Sequence, residues 1–301
     1  MQRCASCGIA EIDDIKLKNC DDCDLVKYCN DECQNEHRQI HEEECKKRAA
    51  ELYDEILFKQ PESGYLGDCP LCCLPLPFDT KSTVAMSCCS KEICSGCNYA
   101  NMKREILARL QHKCPFCREP ASRTKEEINE QWMKRIEAND PFALRQIGMK
   151  KYIGGDYNTA FEYLKRAAAL GDVQAHFQLS IYYEDGEIVE KDEKKFLYHL
   201  KEAAIGGHPD ARYNLALVEG LNGEQDIDRA AKHFIIAAKL GYDKSLEILK
   251  VLYKAGDVSK DDFAAALRGY HAAIEAMKSP LREEAAEIKK RLAERRLSRG
   301  R

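Results

Sequence analysis

The segment RAAALG at residues 166–171 contains the pattern that decides the fold. It returns as EAAIGG at 202–207, IAAKLG at 236–241 and HAAIEA at 271–276, with Ala-Ala pairs spaced 36, 34 and 35 residues apart. This period is typical of helical-hairpin repeats, in which each unit buries its apolar face by stacking on its neighbours. The sequence therefore predicts a mostly α protein whose residues 140–280 form a solenoid of about four hairpins.

A second shared element precedes each of these segments and completes the hairpin. It starts with a small residue, at Ala143, Ala175, Ala211 and Ser245. Small side chains let two helix axes approach closely, and a glycine that follows a helix fits the left-handed C-cap position. The glycines expected at that position are Gly171, Gly206 or Gly207, and Gly241. The pattern resembles Sel-like repeats, which are relatives of tetratricopeptide repeats, and the resemblance implies an adaptor that binds protein partners.

The 16 cysteines of the 301-residue chain are confined to its N-terminal part, with seven in residues 1–45, nine in 69–117 and none in the last 184 residues. No apolar run is long enough for a membrane span, and the N-terminus lacks a secretory signal. We therefore expect a cytoplasmic and/or nuclear protein, in which Cys pairs indicate metal sites and not disulfides. The net charge of -4 argues against nucleic acid as a partner.

The first cysteine cluster has eight ligand-type residues with the spacing C-x2-C-x12-C-x2-C-x5-C-x3-C-x7-H-x3-C. Eight such ligands fill two tetrahedral zinc sites and leave no open position for a substrate, so a structural role is expected. The spacing resembles the MYND zinc finger, which typically binds short proline-containing peptides, although Arg38 stands where that family often has Trp. The resemblance implies one zinc held by Cys4, Cys7, Cys29 and Cys33, and a second held by Cys20, Cys23, His41 and Cys45. Each i,i+4 pair in the set, Cys29 with Cys33 and His41 with Cys45, is expected on one helical face.

The second cysteine cluster contains three C-x2-C pairs and the adjacent residues Cys88 and Cys89. Its layout resembles a RING finger, more narrowly the all-cysteine RING of the Not-complex ubiquitin ligase. The resemblance implies one zinc on Cys69, Cys72, Cys94 and Cys97, and another on Cys88, Cys89, Cys114 and Cys117. Because the usual third pair is here two adjacent residues, a variant with one zinc stays open, with His112 as a reserve ligand. Cys73, which has no ligand role in this scheme, is expected to be a packed small apolar side chain.

Three residues of the second cluster bear on activity. By the same resemblance, Leu71 and Pro115 would contact a ubiquitin-conjugating enzyme, and Arg118 would bridge that enzyme and ubiquitin. A planar fork of donors suits such a bridge. The helix expected within residues 98–113 offers Met102, Ile106 and Leu110, but it has no Trp at the expected groove position. A RING orients a charged conjugate and supplies no nucleophile, so no catalytic residue is expected in this chain.

These features divide the chain into six predicted segments. They are a MYND-type finger at 1–48, a helical linker at 49–66, a RING-type finger at 67–120, a connector helix at 121–139, the repeats at 140–280, and a capping helix with a basic tail at 281–301. Four zinc ions are expected, two in each finger. Two functions remain open: a RING-type ubiquitin ligase whose MYND finger and repeats recruit partner or substrate proteins, and a non-enzymatic scaffold, stabilised by zinc, for protein-protein interaction.

Overall fold

The computed structural model describes residues 3–11, 16–79, 81–122, 124–221 and 226–299. The chain divides into two compact units, residues 1–59 and residues 60–301, and each is described by itself. The last two residues of the expected basic tail lie outside the described residues. Among the helices of the described ranges, none combines the length and the apolar character that crossing a lipid bilayer requires.

The first unit consists of a short hairpin and one long helix. Strand β1 (Lys18–Asn19) pairs antiparallel with β2 (Lys27–Tyr28), and Lys18 lies opposite Tyr28. Helix α1 (Asp31–Leu57) begins where the Asn30 side chain accepts a hydrogen bond from the amide of Cys33 at 2.8 Å. Such a side-chain cap satisfies an amide that the helix itself cannot pair. The helix runs from the end of the first cysteine cluster into the segment expected to be a linker, without a break at residue 49.

The second unit begins with a module of two strands and one helix. Strand β3 (Thr83–Met86) pairs antiparallel with β4 (Lys91–Cys94), and helix α2 (Ser95–Leu107) follows directly. Leu76 and Ile93 form its small apolar core together with cysteine side chains. Helix α2 ends at Leu107, earlier than expected, and Arg109 adopts a left-handed φ of 50° just after it.

The remainder of the second unit is helical. Helix α3 (Lys125–Glu137) occupies most of the connector, and α12 (Pro280–Arg299) follows the repeats. Four helical hairpins lie between them, built from α4 (Pro141–Ile153), α5 (Tyr157–Ala169), α6 (Val173–Asp185), α7 (Glu193–Ile205), α8 (Pro209–Leu221), α9 (Ile227–Lys239), α10 (Asp243–Ala255) and α11 (Lys260–Ala276). Their side-chain caps recur at one position, because an aspartate precedes five of these helices and accepts from an amide of the first turn, at Asp140, Asp156, Asp172, Asp192 and Asp226.

The Ala-Ala pairs form the centre of the solenoid, as the period predicts. The first three pairs are buried, at Ala167 and Ala168, Ala203 and Ala204, and Ala237 and Ala238. The glycines that follow have left-handed φ values of 84°, 84° and 92° at Gly171, Gly207 and Gly241. Gly206, the alternative to Gly207, has a φ of -67°. The fourth pair is not buried, because Ala272 is exposed and Ala273 is half-buried at the end of the array.

Candidate metal centres

Two clusters of metal-ligand side chains lie in the first unit. Each brings four ligand atoms within 4.8 Å of one another, on Cys4, Cys7, Cys29 and Cys33 in one cluster and on Cys20, Cys23, His41 and Cys45 in the other. This is the interleaved pairing that the MYND resemblance implies. The hairpin β1–β2 and the start of α1 produce it, because each cluster takes two ligands from the irregular chain and the remaining ligands from β2 onward.

The spacing of these ligand atoms fits tetrahedral zinc. Four sulfur atoms bound to one zinc at about 2.3 Å lie about 3.8 Å from one another. In the first cluster Sγ of Cys29 is 3.6 Å from Sγ of Cys7 and 3.5 Å from Sγ of Cys33. His41 and Cys45 lie one turn apart on α1, whereas Cys29 precedes the helix. The prediction that Cys29 and Cys33 share a helical face was therefore wrong: the tight turn before α1, and not the helix, brings these two thiols together.

Two further clusters lie in the module at the start of the second unit. The groups are Cys69, Cys72, Cys94 and Cys97 in one cluster, and Cys88, Cys89, Cys114 and Cys117 in the other, again with all ligand atoms within 4.8 Å. In the first of these groups, Cys72 Sγ is 3.9 Å from Cys94 Sγ. Ligands from the beginning, middle and end of the module therefore alternate between two centres.

The adjacent residues Cys88 and Cys89 both reach the same centre. Cys88 Sγ is 3.4 Å from Cys117 Sγ, and Cys89 Sγ is 3.9 Å from Cys114 Sγ. The tight turn between β3 and β4 makes this arrangement possible, since Ser90 adopts a φ of 53° and its amide donates to the carbonyl of Met86 at 2.8 Å.

The side chains of Lys91 and of the reserve ligand His112 make contacts outside this centre. Lys91 extends its ammonium over the ring of Phe116, with Nζ 5.8 Å from the ring centroid. His112 is exposed, and its Nδ1 lies 2.5 Å from an oxygen of the buried Glu105. All four thiols of this centre are therefore placed where they could hold one metal ion.

Hydrogen bonds from backbone amides lower the pKa of one thiol in two of the clusters, at Cys4 and at Cys69. Burial raises the pKa of Cys4, but hydrogen bonds from backbone amides, including those of Cys7 and Cys29, outweigh burial and lower the pKa to about 6. Burial and backbone amides compete in the same way at Cys69, where the amide of Cys94 donates at 3.4 Å and the pKa falls to about 7. In each of these two clusters, backbone amides thus lower the pKa of one thiol and favour its thiolate form.

In each of the other two clusters, a thiol has its pKa shifted in the opposite direction. Burial, followed by hydrogen bonds with Cys23 and Cys20, raises the pKa of Cys45 to about 12. Burial and the negative charge of Cys114 raise the pKa of Cys89 to about 11. Several thiolates at one point repel one another, and a divalent cation at their centre relieves that repulsion. The chemistry of the donor sets therefore fits Zn²⁺.

The three residues expected to contact a conjugating enzyme or ubiquitin differ in their exposure to solvent. Leu71 is 37% exposed and Arg118 is exposed with a left-handed φ of 66°. Pro115 is buried, whereas its neighbour Phe116 is 42% exposed. Ile106 on α2 is 72% exposed. Phe116 lies between the last two cysteines, and its exposure is not evident from the sequence because a closing C-P-x-C segment does not specify which residue faces solvent.

Cys73 is exposed and has a left-handed φ of 55°, so the prediction of a packed apolar side chain was wrong. The turn that aims Cys69 and Cys72 at one point continues through Cys73, which directs its side chain outward. In the first unit, Arg38 lines a cavity of about 110 Å³ beside His41 and the buried Tyr28, in place of the Trp that the resemblance implies.

The comparisons with known proteins agree with the first cluster and with the repeats. Residues 4–45 match the family model of the MYND finger, and residues 145–172, 173–208 and 209–242 match that of the Sel1 repeat. These matches confirm the resemblances to the MYND finger and to Sel-like repeats. They support a protein that binds zinc and interacts with other proteins through both kinds of domain.

Two solved structures are similar to the chain. One is a Sel1 repeat protein from Oxalobacter formigenes, with 21% identity and a TM-score of 0.41, covering 51% of this chain and 65% of that one. The other is c5321, a protective antigen of uropathogenic Escherichia coli strains displaying an SLR fold, with 27% identity and a TM-score of 0.40, covering 50% of this chain and 33% of that one. The chain thus spans less than two thirds of either protein. A search of the curated proteins found no significant match.

Proposed function

We propose that this protein is a RING-type ubiquitin ligase with four structural zinc ions, whose MYND finger and repeats recruit protein partners. The observation that carries the proposal is the pair of four-cysteine clusters, interleaved along residues 69–117. This cross-brace surrounds a two-stranded hairpin and one helix. The sixteen clustered side chains would hold the four ions. The zinc in the second module would fix the loops that carry the surface proposed to bind a conjugating enzyme.

The exposed side chains of this module suit the recruitment of a conjugating enzyme. Leu71 lies in the first zinc loop, Phe116 in the last, and Ile106 on α2 between them, and all three are exposed. Large apolar side chains at three separate places of a small module provide anchors for a protein partner. Phe116 takes the role that the sequence predicts for the buried Pro115.

Arg118 is the residue proposed to act on the conjugate. It is exposed immediately after the last clustered cysteine, and its amide donates to the carbonyl of Cys114 at 3.0 Å, which fixes its backbone beside the metal centre. A guanidinium held there can donate to a ubiquitin carbonyl and to the conjugating enzyme at the same time. Catalysis of this kind restricts the reacting groups to a productive orientation.

The test is ubiquitin-chain formation in vitro with a panel of conjugating enzymes, comparing wild type with Arg118→Ala. Arg109→Ala is a matched control, because Arg109 is also exposed in the same module and also has a positive φ, of 50°. Both substitutions introduce the same backbone penalty, so only the loss of the bridging guanidinium distinguishes them. We expect chain formation to fall about tenfold or more for Arg118→Ala alone.

The second candidate function is a scaffold without ligase activity, and the buried Pro115 is the observation that favours it. A scaffold forms no complex with any conjugating enzyme, whereas a ligase forms one that weakens about tenfold or more in Leu71→Ala. If a protein that contains four zinc ions forms no ubiquitin chains with any conjugating enzyme of the panel, the ligase proposal is refuted. Total zinc, measured on the purified full chain by atomic emission, checks the metal content independently.

A further inference from the structure

Helix α12 packs against α2 of the second zinc module with almost no gap between the two backbones. A Cβ atom added at Gly96, in the first turn of α2, would lie 2.7 Å from the amide nitrogen of Arg282 and 2.8 Å from the carbonyl carbon of Leu281. Contacts this short leave no room for any side chain at residue 96. The start of α12 therefore lies directly on the helix that carries Cys97.

Arg282 connects this helix to the zinc loop itself. Its Nη1 donates to the carbonyl of Pro75 at 2.7 Å, and its Nη2 donates to the carbonyl of Leu74 at 3.1 Å and lies 3.6 Å from Sγ of Cys72. Nη1 also donates to the carbonyl of Met277 at 2.6 Å, just before α12. One guanidinium thus joins the end of the repeats to the first Cys-x2-Cys loop, 210 residues away.

Further along α12, two other residues make three hydrogen bonds with the same module. Glu284 accepts from Lys103 Nζ at 2.7 Å and from the hydroxyl of Tyr99 at 3.2 Å, and both partners lie on α2. Lys289 donates to the carbonyl of Lys81 at 2.5 Å. The contacts of α12 therefore extend from the zinc loop to the segment before β3.

The other metal centre of the module is supported by a different helix. Arg135 on α3 donates from Nη2 to the carbonyl of Cys88 at 2.8 Å, and Gln131 accepts from the hydroxyl of Ser87 at 2.6 Å. Arg135 reaches only the backbone of a cluster residue, whereas Arg282 lies within hydrogen-bonding distance of a thiol sulfur. The two centres are thus contacted by different helices, α12 at one and α3 at the other.

We propose that Arg282 is a positioning residue of the zinc site at Cys69, Cys72, Cys94 and Cys97. A zinc ion with four thiolates has two excess negative charges, and a guanidinium donating to one thiolate offsets part of that excess while it orients the ligand. The three carbonyls that Arg282 binds fix the direction from which it approaches Cys72. The inference rests on the proposed zinc content of this cluster.

The test is zinc release from the full-length, zinc-loaded chain to excess pyridylazoresorcinol, followed by absorbance. The variants are Arg282→Ala and Arg282→Lys, and the control is Arg291→Ala on the same helix, where the arginine is exposed and binds only Glu287 among the described contacts. Loss of an outer hydrogen bond to a ligand typically weakens metal binding about 10- to 100-fold. We expect one of the four ions to leave about 10- to 100-fold faster from Arg282→Ala, and by a smaller factor from Arg282→Lys, which keeps the charge but not the fork.

Cadmium NMR of the cadmium-substituted chain identifies the affected site. We expect Arg282→Ala to move one resonance of the all-cysteine sites and to leave the others in place, with an unchanged helical circular dichroism spectrum. Release rates equal to those of wild type would overturn the inference, and so would equal acceleration of all four ions, since that indicates general loosening. A wild-type chain that holds no metal at this cluster would instead overturn the zinc assignment under the proposed function.

Discussion

A buried histidine should make the second unit sensitive to mild acid. The imidazole of His208 lies between two aromatic rings, with its centroid 4.2 Å from that of Phe177 and 4.5 Å from that of Tyr65. Its Nδ1 accepts from the amide of Ala211 at 3.3 Å, and its Nε2 is 3.0 Å from the side-chain oxygen of Gln174. An imidazole that accepts at Nδ1 and donates at Nε2 is neutral. A proton added at Nδ1 would remove the acceptor that caps α8.

The size of the effect follows from the pKa of His208. Burial, with a smaller contribution from the charge of Arg145, lowers the pKa of His208 from 6.5 to about 3 in the folded protein. Between these two values the unfolded chain takes up a proton that the folded chain excludes, so stability is complete above pH 6.5 and declines as the pH falls towards 3. Each pH unit in that window corresponds to about 1.4 kcal/mol, and the loss between pH 7.5 and pH 5 is about 2 kcal/mol.

The assay compares the free energy of unfolding in urea at pH 7.5 and pH 5 for wild type and His208→Asn. Asparagine keeps an acceptor at the start of α8 and does not titrate. Loss of the aromatic stacking lowers the stability of His208→Asn at both pH values, but the decrease from pH 7.5 to pH 5 should be about 2 kcal/mol smaller than in wild type.

Acid also releases zinc, but this contribution is common to both proteins and cancels in the difference. His271→Asn is the control, because His271 is exposed and its replacement should leave the decrease as it is in wild type. Equal decreases in wild type and His208→Asn would refute the argument.

Three further predictions concern packing and metal. Gly96→Ala should lower the free energy of unfolding by about 1–3 kcal/mol, because α12 must move away from the added methyl group. Gly154→Ala is the control and should change the free energy little, because its added Cβ would be 3.4 Å from its nearest neighbours. Thermal unfolding of the two variants measures the difference. Leu164→Ala in the fully buried core should destabilise by about 2–5 kcal/mol in urea unfolding, and Leu292→Ala, on a residue that is 53% exposed, should not. Chelation of zinc should unfold both cysteine modules yet preserve most of the helical circular dichroism signal, since the repeats have cores of their own around Leu164 and Leu249. Loss of nearly all helical signal with the metal would contradict that independence.

The sequence predicts the repeats well because their signal is local and periodic. The Ala-Ala pair, the glycine that follows it and the small residue one helix earlier all lie within one unit. Each unit packs on its neighbours in the same way, so the same residue types recur. The exception is the fourth unit, where Ala272 is exposed because, among the described residues, a single helix and not another hairpin follows α11. A period by itself does not indicate which copy lies at the end of the array.

The metal clusters are predictable for a similar reason, since ligand spacing limits which thiols can meet. Where spacing left a choice, the backbone decided it: the turn at Ser90 allows Cys88 and Cys89 to reach one centre. The ends of helices were harder to predict from the sequence. The sequence of α1 continues as a charged helical pattern beyond the cluster, and nothing in it marks the boundary placed at residue 49.

The contacts between the second cysteine module and helix α12 could not be predicted from the sequence. Arg282 lies in a charged segment that has the composition of a solvated helix face, and Gly96 lies between two cysteine ligands, where a glycine has many explanations. Both residues acquire their roles from an approach between segments that are almost two hundred residues apart. This approach places residues 60–301 in one compact unit. If the module is a ligase, a substrate bound to the repeats is held at a fixed distance from Arg118, so orientation would extend from the conjugate to the substrate and a flexible tether would not be needed.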